Sequence, residues 1–269
     1  MSAITAEMQR DFAADGALVL RGVFTDWVER LREGVAEAMA RPSRLERSYQ
    51  PAGSARFFQD LCRWQDVAEF RAFVEQSGAG ALAGALMRAD GVRFFHDHIL
   101  VKEVGAAVVT PWHQDRPYYC VDAERSVSFW IPLDPVAREF SLRCVAGSHR
   151  SGTTHRPMRF DGSALYAGDE RPDVPDIDAD PAAYRILAWD MAPGDAVAFD
   201  FGTVHGAAGT VGAAARRRVF SARFVADGAR FADRGGRGSP PFDHLTLQDG
   251  DRLDGAEFPV VWRKEGLLF

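Results

Sequence analysis

Trp112-His113-Gln114-Asp115 is the single place in this chain where a histidine is followed two residues later by an aspartate, and His205-Gly206-Ala207 answers it far downstream. Two imidazoles and one carboxylate that meet on one side of a metal form the facial set of non-haem ferrous oxygenases, which leaves other positions open. Residues i and i+2 of a strand share a face, so His113 and Asp115 are expected to grip one ion from one strand edge. His205 must then come from a strand that folds back against the first. An octahedral ion has about six positions, so three protein ligands leave about three, which suits oxygen activation better than a closed structural site.

The surrounding pattern predicts helices early and strands late. Thr5 before Ala6-Glu7-Met8-Gln9 reads as a helix cap, and Ala17 to Leu20 as a short strand after the Asp15-Gly16 turn. Thr25 is expected to cap a second helix with Val28, Leu31, Val35 and Met39 at helical spacing, and a third helical stretch is expected from Val67 to Leu86. From Val92 the texture changes to short strands between Gly, Pro and Asp turns, as in an antiparallel barrel or sandwich. The expected strands are Val92 to Val104, Ala107 to Trp112, Ser126 to Leu133, Leu142 to Val145, Ala196 to Phe201 and Arg217 to Val225. Pro193-Gly194-Asp195 is the turn that launches the strand leading to His205. The helices are expected to pack outside the sheet.

Composition bounds the partners. The 269 residues, 46% hydrophobic, are enough for one large domain, and all-β barrels of this size often run as one. A net charge of −6 gives no basic footprint for nucleic acid and no basic face for a membrane, so a small molecule is the expected partner. Cys62, Cys120 and Cys144 are odd in number and form no close pairs, which fits a reducing compartment. Glu7, Arg10 and Asp11 near the start argue against a secretory signal, and no apolar run approaches the roughly 20 residues of a membrane helix. The expectation is a cytoplasmic chain. The acidic stretch from 160 to 184, with Asp161, Asp169, Glu170, Asp173, Asp176, Asp178 and Asp180, is expected to be a solvated surface loop or a lid.

Several spaced motifs carry a family resemblance. Leu100-Val101-Lys102-Glu103, Thr110-Pro111-Trp112-His113-Gln114-Asp115, Ser128-Phe129-Trp130-Ile131-Pro132-Leu133-Asp134, Val145-Ala146-Gly147-Ser148-His149, Pro193-Gly194-Asp195, His205-Gly206-Ala207 and Arg217-Arg218 follow in order. Together they resemble the phytanoyl-CoA dioxygenase family of Fe(II)- and 2-oxoglutarate-dependent oxygenases, over roughly residues 5 to 260. The resemblance implies a mainly β fold with flanking helices, a double-stranded β-helix of the jelly-roll, cupin-like type. It implies one domain over 1–269 with the 160–184 stretch as lid or insertion. It implies iron held by His113, Asp115 and His205, with 2-oxoglutarate and O2 as co-substrates. A small-molecule C–H bond would be hydroxylated or otherwise oxidised, with release of succinate and carbon dioxide. Relatives that halogenate have a small residue in place of the acid, so Asp115 points away from halogenation.

The same resemblance expects an arginine after the distal histidine to hold the far carboxylate of 2-oxoglutarate, and two positions compete for that role. Loop length favours Arg216, whereas strand register puts Arg217, Val219, Ser221 and Arg223 on one face. Register favours Arg217, whose planar fork suits a carboxylate. Lys102 and Trp130 are the further expected co-substrate contacts, with an exposed edge lysine and a core tryptophan as the bland alternatives. A buried Lys102 would need a carboxylate to stay charged. Tyr118 and Tyr119 are either pocket lining or core. His96-Asp97-His98 is a rival chelating pair, expected to be structure or pocket wall, and His149 is expected to be structural. The chain departs from the family pattern over Arg138 to Cys144, at Ala146 and at Ala207. A cupin-like binder that holds metal without oxidising anything is the alternative function, and an arginine opposite the metal would have no purpose in it.

Overall fold

The computed structural model describes residues 4–159 and 163–264. In chain order the elements are α1 (Ala6–Asp15), β1 (Ala17–Leu20), α2 (Val28–Ala40), β2 (Arg47–Tyr49), β3 (Phe57–Leu61), α3 (Ala68–Gln76), α4 (Ala79–Met87), β4 (Gly91–Lys102), β5 (Thr110–His113), β6 (Val121–Asp122) and β7 (Ser126–Pro132). There follow β8 (Leu142–Val145), β9 (Ile186–Leu187), β10 (Ala196–Phe199), β11 (His205–Ala207), β12 (Arg217–Ala226), β13 (Arg230–Phe231) and β14 (Val260–Arg263).

Local chemistry accounts for most helix ends. Thr5 accepts the Met8 N–H at 3.2 Å, as expected of a cap. Thr25 does not cap α2. It opens a single 3-10 turn, Thr25–Trp27, and its hydroxyl donates to the Gly22 carbonyl at 3.2 Å. That turn puts Trp27 at the N-cap position of α2, which has no side-chain cap. The predicted Val67 to Leu86 helix is two helices, because Gly78 takes a left-handed φ of 74° between α3 and α4.

A large antiparallel sheet runs β1-β10-β7-β12-β4-β3-β2, with β14 also paired to β4. Facing it is a small sheet of order β5-β11-β8-β9. Strand alternation splits the side chains of the large sheet into two cores. Val101, Phe129, Ile131, Phe220 and Phe224 turn outward against Leu31 and Val35 of α2 and Phe70 and Phe73 of α3. Trp130, Val197, Phe199 and Val219 turn inward against Leu142, Cys144 and Ala207 of the small sheet. This is the jelly-roll arrangement, with helices on one outer face.

Residues 163–184 join no sheet. Ile177 is buried against Val145, Val204 and Trp112 on the outer face of the small sheet. Asp178 accepts the Trp112 indole N–H at 3.0 Å and pairs with Arg143 at 2.9 Å, and the Arg143 guanidinium lies 4.5 Å over the Trp112 ring. The acidic stretch is therefore bolted to the strand that carries His113. Its residues 160–162 lie outside the described residues.

Candidate metal centre

The β5–β11 ladder sets His113 directly opposite His205, with ring centroids 4.2 Å apart. Asp115 reaches them differently from the expectation of one continuous strand. β5 ends at His113, and Asp115 has left-behind strand geometry for a right-handed helical conformation (φ −73°, ψ −38°) at the start of a 3-10 turn, Arg116–Tyr118. The turn is anchored by Arg116 N–H to the Phe201 carbonyl at 2.8 Å and by the Gln114 amide to the Gly202 carbonyl at 2.8 Å. The turn, and not strand periodicity, delivers the carboxylate.

One Asp115 oxygen, Oδ1, lies 3.7 Å from His113 Nε2 and 3.9 Å from His205 Nε2. All three donor atoms fall within 4.8 Å of one another, and this is the one such cluster among the described residues. Neighbouring ligands on an octahedral ion with bonds of about 2.1 Å sit about 3 Å apart, so a small inward movement closes the set. The imidazoles are already oriented. His113 Nδ1 donates to the Pro111 carbonyl at 2.8 Å and His205 Nδ1 to the Thr203 carbonyl at 2.9 Å. That fixes the proton on Nδ1 and turns the Nε2 lone pair of each toward the shared point. His205 and Asp115 side chains are each 5% exposed and His113 21%, so the centre opens on the His113 side.

Electrostatics sets the protonation that a metal demands. Burial by itself would raise the Asp115 carboxyl, but Arg223 and the two imidazoles outweigh it and hold the group well below the usual carboxylate range. Burial, with His113 adding to it, lowers His205 to about 3. An ionised carboxylate and neutral imidazoles are the forms that bind metal.

Deeper on the same inner face lie two cations. Arg217 of β12 pairs with Lys102 of β4 in the ladder, and both are buried. Lys102 Nζ donates to Thr110 Oγ1 at 3.3 Å and the Ala208 carbonyl at 3.1 Å, and sits 4.6 Å over the Phe57 ring. Arg217 donates to the Phe140 carbonyl and lies 5.8 Å from the ring centre of Trp130, which is itself buried. Neither cation has an ion-pair partner among the described residues. Burial, then the proximity of Arg217, lowers Lys102 to about 6, and burial lowers Arg217 to about 10. Arg216 points to solvent, 3.9 Å from Glu103, and Arg218 binds Asp134 at 2.5 Å, so Arg217 alone of the three faces inward.

The rival pair does not chelate. Asp97 is consumed by the Arg63 and Trp64 backbone N–H groups at 3.0 and 2.9 Å, and His98 bonds Gln59 at 3.0 Å. His149 lies near the Ala13 carbonyl, while its neighbour Ser148 accepts the Val204 N–H at 2.8 Å and so steadies the residue before His205. Tyr118 exchanges two hydrogen bonds with the Met158 backbone and stands edge-on to His113 at 5.7 Å. Tyr119 is buried, and its hydroxyl accepts from Arg223 Nε. Sequence reasoning placed Arg223 on the inner face but gave it no role. A fully buried arginine needs an anion, and the nearest inward carboxylate in the ladder region is Asp115.

The sequence matches the profile of the phytanoyl-CoA dioxygenase family over residues 12–219. The chain belongs to the phytanoyl-CoA dioxygenase family. Among curated proteins no sequence match is found. Solved structures similar to this family member include the non-haem α-ketoglutarate-dependent carbocyclase SnoK from nogalamycin biosynthesis, at 21% identity and TM-score 0.75, covering 96% of each chain. The epimerase SnoN in complex with Fe3+, α-ketoglutarate and nogalamycin RO is 19% identical with TM-score 0.76, covering 95% of this chain and 98% of its own. EctD from S. alaskensis with 2-oxoglutarate and 5-hydroxyectoine is 20% identical with TM-score 0.71, covering 92% and 85%. At these identities the likeness establishes the fold, which is the cupin-like jelly roll of Fe/2-oxoglutarate oxygenases. No helix among the described residues is long and apolar enough to cross a membrane.

Proposed function

We propose that this chain is an Fe(II)- and 2-oxoglutarate-dependent dioxygenase that oxidises a C–H bond of a small molecule. The observation that carries this reading is the pair of buried basic side chains, Lys102 and Arg217, without a counter-ion among the described residues on the face that holds the triad. Burial strands the charge of Arg217 and favours loss of the Lys102 proton near neutral pH, and a dicarboxylate entering from the metal side would stabilise the charged form of both. A protein that only binds metal gains nothing from burying them. The donor set fits iron, because both Nε2 lone pairs and one carboxylate oxygen converge while about three positions stay free.

His113, Asp115 and His205 would hold the ion, and Arg217 with Lys102 would hold the distal carboxylate of 2-oxoglutarate. Bound there, iron and 2-oxoglutarate supply the oxidation: one atom of O2 goes to the substrate and one to the succinate formed as carbon dioxide is lost. The chain orients the target and excludes water. Trp130, beside Arg217, provides an apolar wall that strengthens the carboxylate contact by keeping solvent out. Asp115 fills the position that a halide would need, which supports hydroxylation or a related oxidation. A net charge of −6, with no basic footprint for nucleic acid, supports a small-molecule substrate.

Anaerobic addition of Fe(II) and then 2-oxoglutarate is expected to produce a visible charge-transfer band, absent in Asp115→Ala. Aerobic screening against candidate metabolites should then release succinate in step with substrate loss. Iron binding with no response to 2-oxoglutarate would replace this reading with that of a cupin-like binder.

A further inference from the structure

Asp115 is held from both ends. Oδ1 faces the two imidazoles, whereas Oδ2 lies 3.4 Å from Ser128 Oγ and 3.5 Å from Arg223 Nε. The Tyr119 hydroxyl accepts from Arg223 Nε, so the phenol braces the guanidinium beside the carboxylate. Arg223 itself is 4% exposed, and its guanidinium lies 5.6 Å from the Tyr119 ring centre. Ser128 and Arg223 are ladder partners across β7 and β12, which fixes both donors to one row of the large sheet.

We infer that Arg223, with Ser128 and Tyr119, is a positioning device that keeps Asp115 a one-oxygen ligand. A carboxylate can present one or both oxygens to a metal. With one, three protein atoms occupy three of about six positions and three remain; with both, two remain. A two-toothed 2-oxo acid and O2 together need three. Tying Oδ2 to a guanidinium and a hydroxyl, with the phenol bracing the guanidinium, makes the second oxygen unavailable, and the open count is preserved. Arg223 and Ser128 also set the carboxylate plane before the ion arrives, because both belong to paired strands of the large sheet. This rests on the metal centre proposed above, but it concerns how the ligand is aimed, not which reaction follows.

Metal binding by the apoprotein tests it without any turnover. Anaerobic Co(II) titration, read by calorimetry and by the visible d–d absorption, would compare wild type, Arg223→Gln, Arg223→Lys, Asp115→Ala and the double variant Arg223→Gln/Asp115→Ala. Loss of an outer partner of a ligand typically costs 10- to 100-fold in metal affinity, and that loss is expected for Arg223→Gln. In the Asp115→Ala background the same substitution should change nothing further, since the group it aims is gone. Arg223→Lys should recover part of the affinity, and the d–d spectrum of Arg223→Gln should shift as the coordination number changes. Ser128→Ala and Tyr119→Phe, which strand no buried charge, are expected to weaken binding a few-fold each and decide the matter if Arg223→Gln fails to fold. Unchanged affinity in folded variants, or an equal loss with and without Asp115, overturns the inference. A wild-type protein that binds no Co(II) overturns the metal centre itself and this inference with it.

Discussion

Lys102 and Arg217 stand side by side across one ladder position and lack a counter-ion among the described residues, so their affinity for a dicarboxylate should depend on pH. Lys102 titrates near 6 in the free protein. A carboxylate bound beside it favours the charged form and raises that value, so binding takes up a proton at neutral pH. The sign follows: affinity is fullest below pH 6 and weakens as pH rises toward the bound-state value, by up to about tenfold per unit. Calorimetry of 2-oxoglutarate binding in two buffers of different ionisation enthalpy should show uptake approaching one proton at pH 7.5, and Lys102→Met should abolish it. Folding has its own linkage at this residue. The unfolded chain binds the proton up to the ordinary lysine value of 10.5 and the folded chain only to about 6, so this group makes stability rise with pH across that interval. Arg217→Met should weaken 2-oxoglutarate roughly 10- to 100-fold, as for loss of a charge-assisted hydrogen-bonding pair, and Arg217→Lys should not restore it, because an ammonium cannot reproduce the fork. Metal affinity should be untouched in both. That Arg217 and not Arg216 turns inward was legible because strand alternation survives changes in loop length. The role of Arg223 was not, since the sequence does not say that a turn would bring Asp115 beneath it.

Strands β5 and β11 place the imidazoles, and Gly206 governs how closely they lie. A Cβ there would meet the Thr110 carbonyl at 3.0 Å and the Trp112 ring at 3.3 Å. Gly206→Val should therefore push β5 from β11, costing about 1–3 kcal/mol in chemical denaturation and weakening metal binding without altering a ligand. Retention of wild-type affinity by a folded Gly206→Val would show that the ladder spacing does not matter. The long strands β4, β7 and β12 were legible because apolar runs bounded by turns have few other readings. β3 was not: Phe57 to Leu61 is buried at every position, with the Gln59 carbonyl oxygen held by His98 and Asp60 by Ser43 and Arg63. Neither alternation nor a clean apolar run marks such a strand. Thr25 misled because a hydroxyl that can cap a helix can equally close the turn before it.

Two sheets facing each other, with helices stacked behind the larger, give the molecule its cup, and the outer side of the smaller sheet is sealed by residues 163–184. Ile177→Ala should cost about 2–5 kcal/mol by the cavity it leaves under that segment. Read as a drop in Tm of roughly 2–4 °C per kcal/mol, this would be plain in thermal unfolding. Composition foretold that the stretch would lie at the surface, but the hydrogen bond from Trp112 to Asp178 depends on a meeting of distant residues that no local pattern encodes.

The two imidazoles face each other across one rung of the β5–β11 ladder, whose β11 strand is buried along its length. Assembly of the cup must therefore be complete before an ion finds its seat, which makes the metal a tenant of the architecture and not its scaffolding. Dialysis against a chelator should leave far-UV circular dichroism intact and lower the unfolding temperature only modestly, unlike small zinc domains that collapse when stripped. Collapse of the stripped protein would mean that the sheets lean on the ion for their closure.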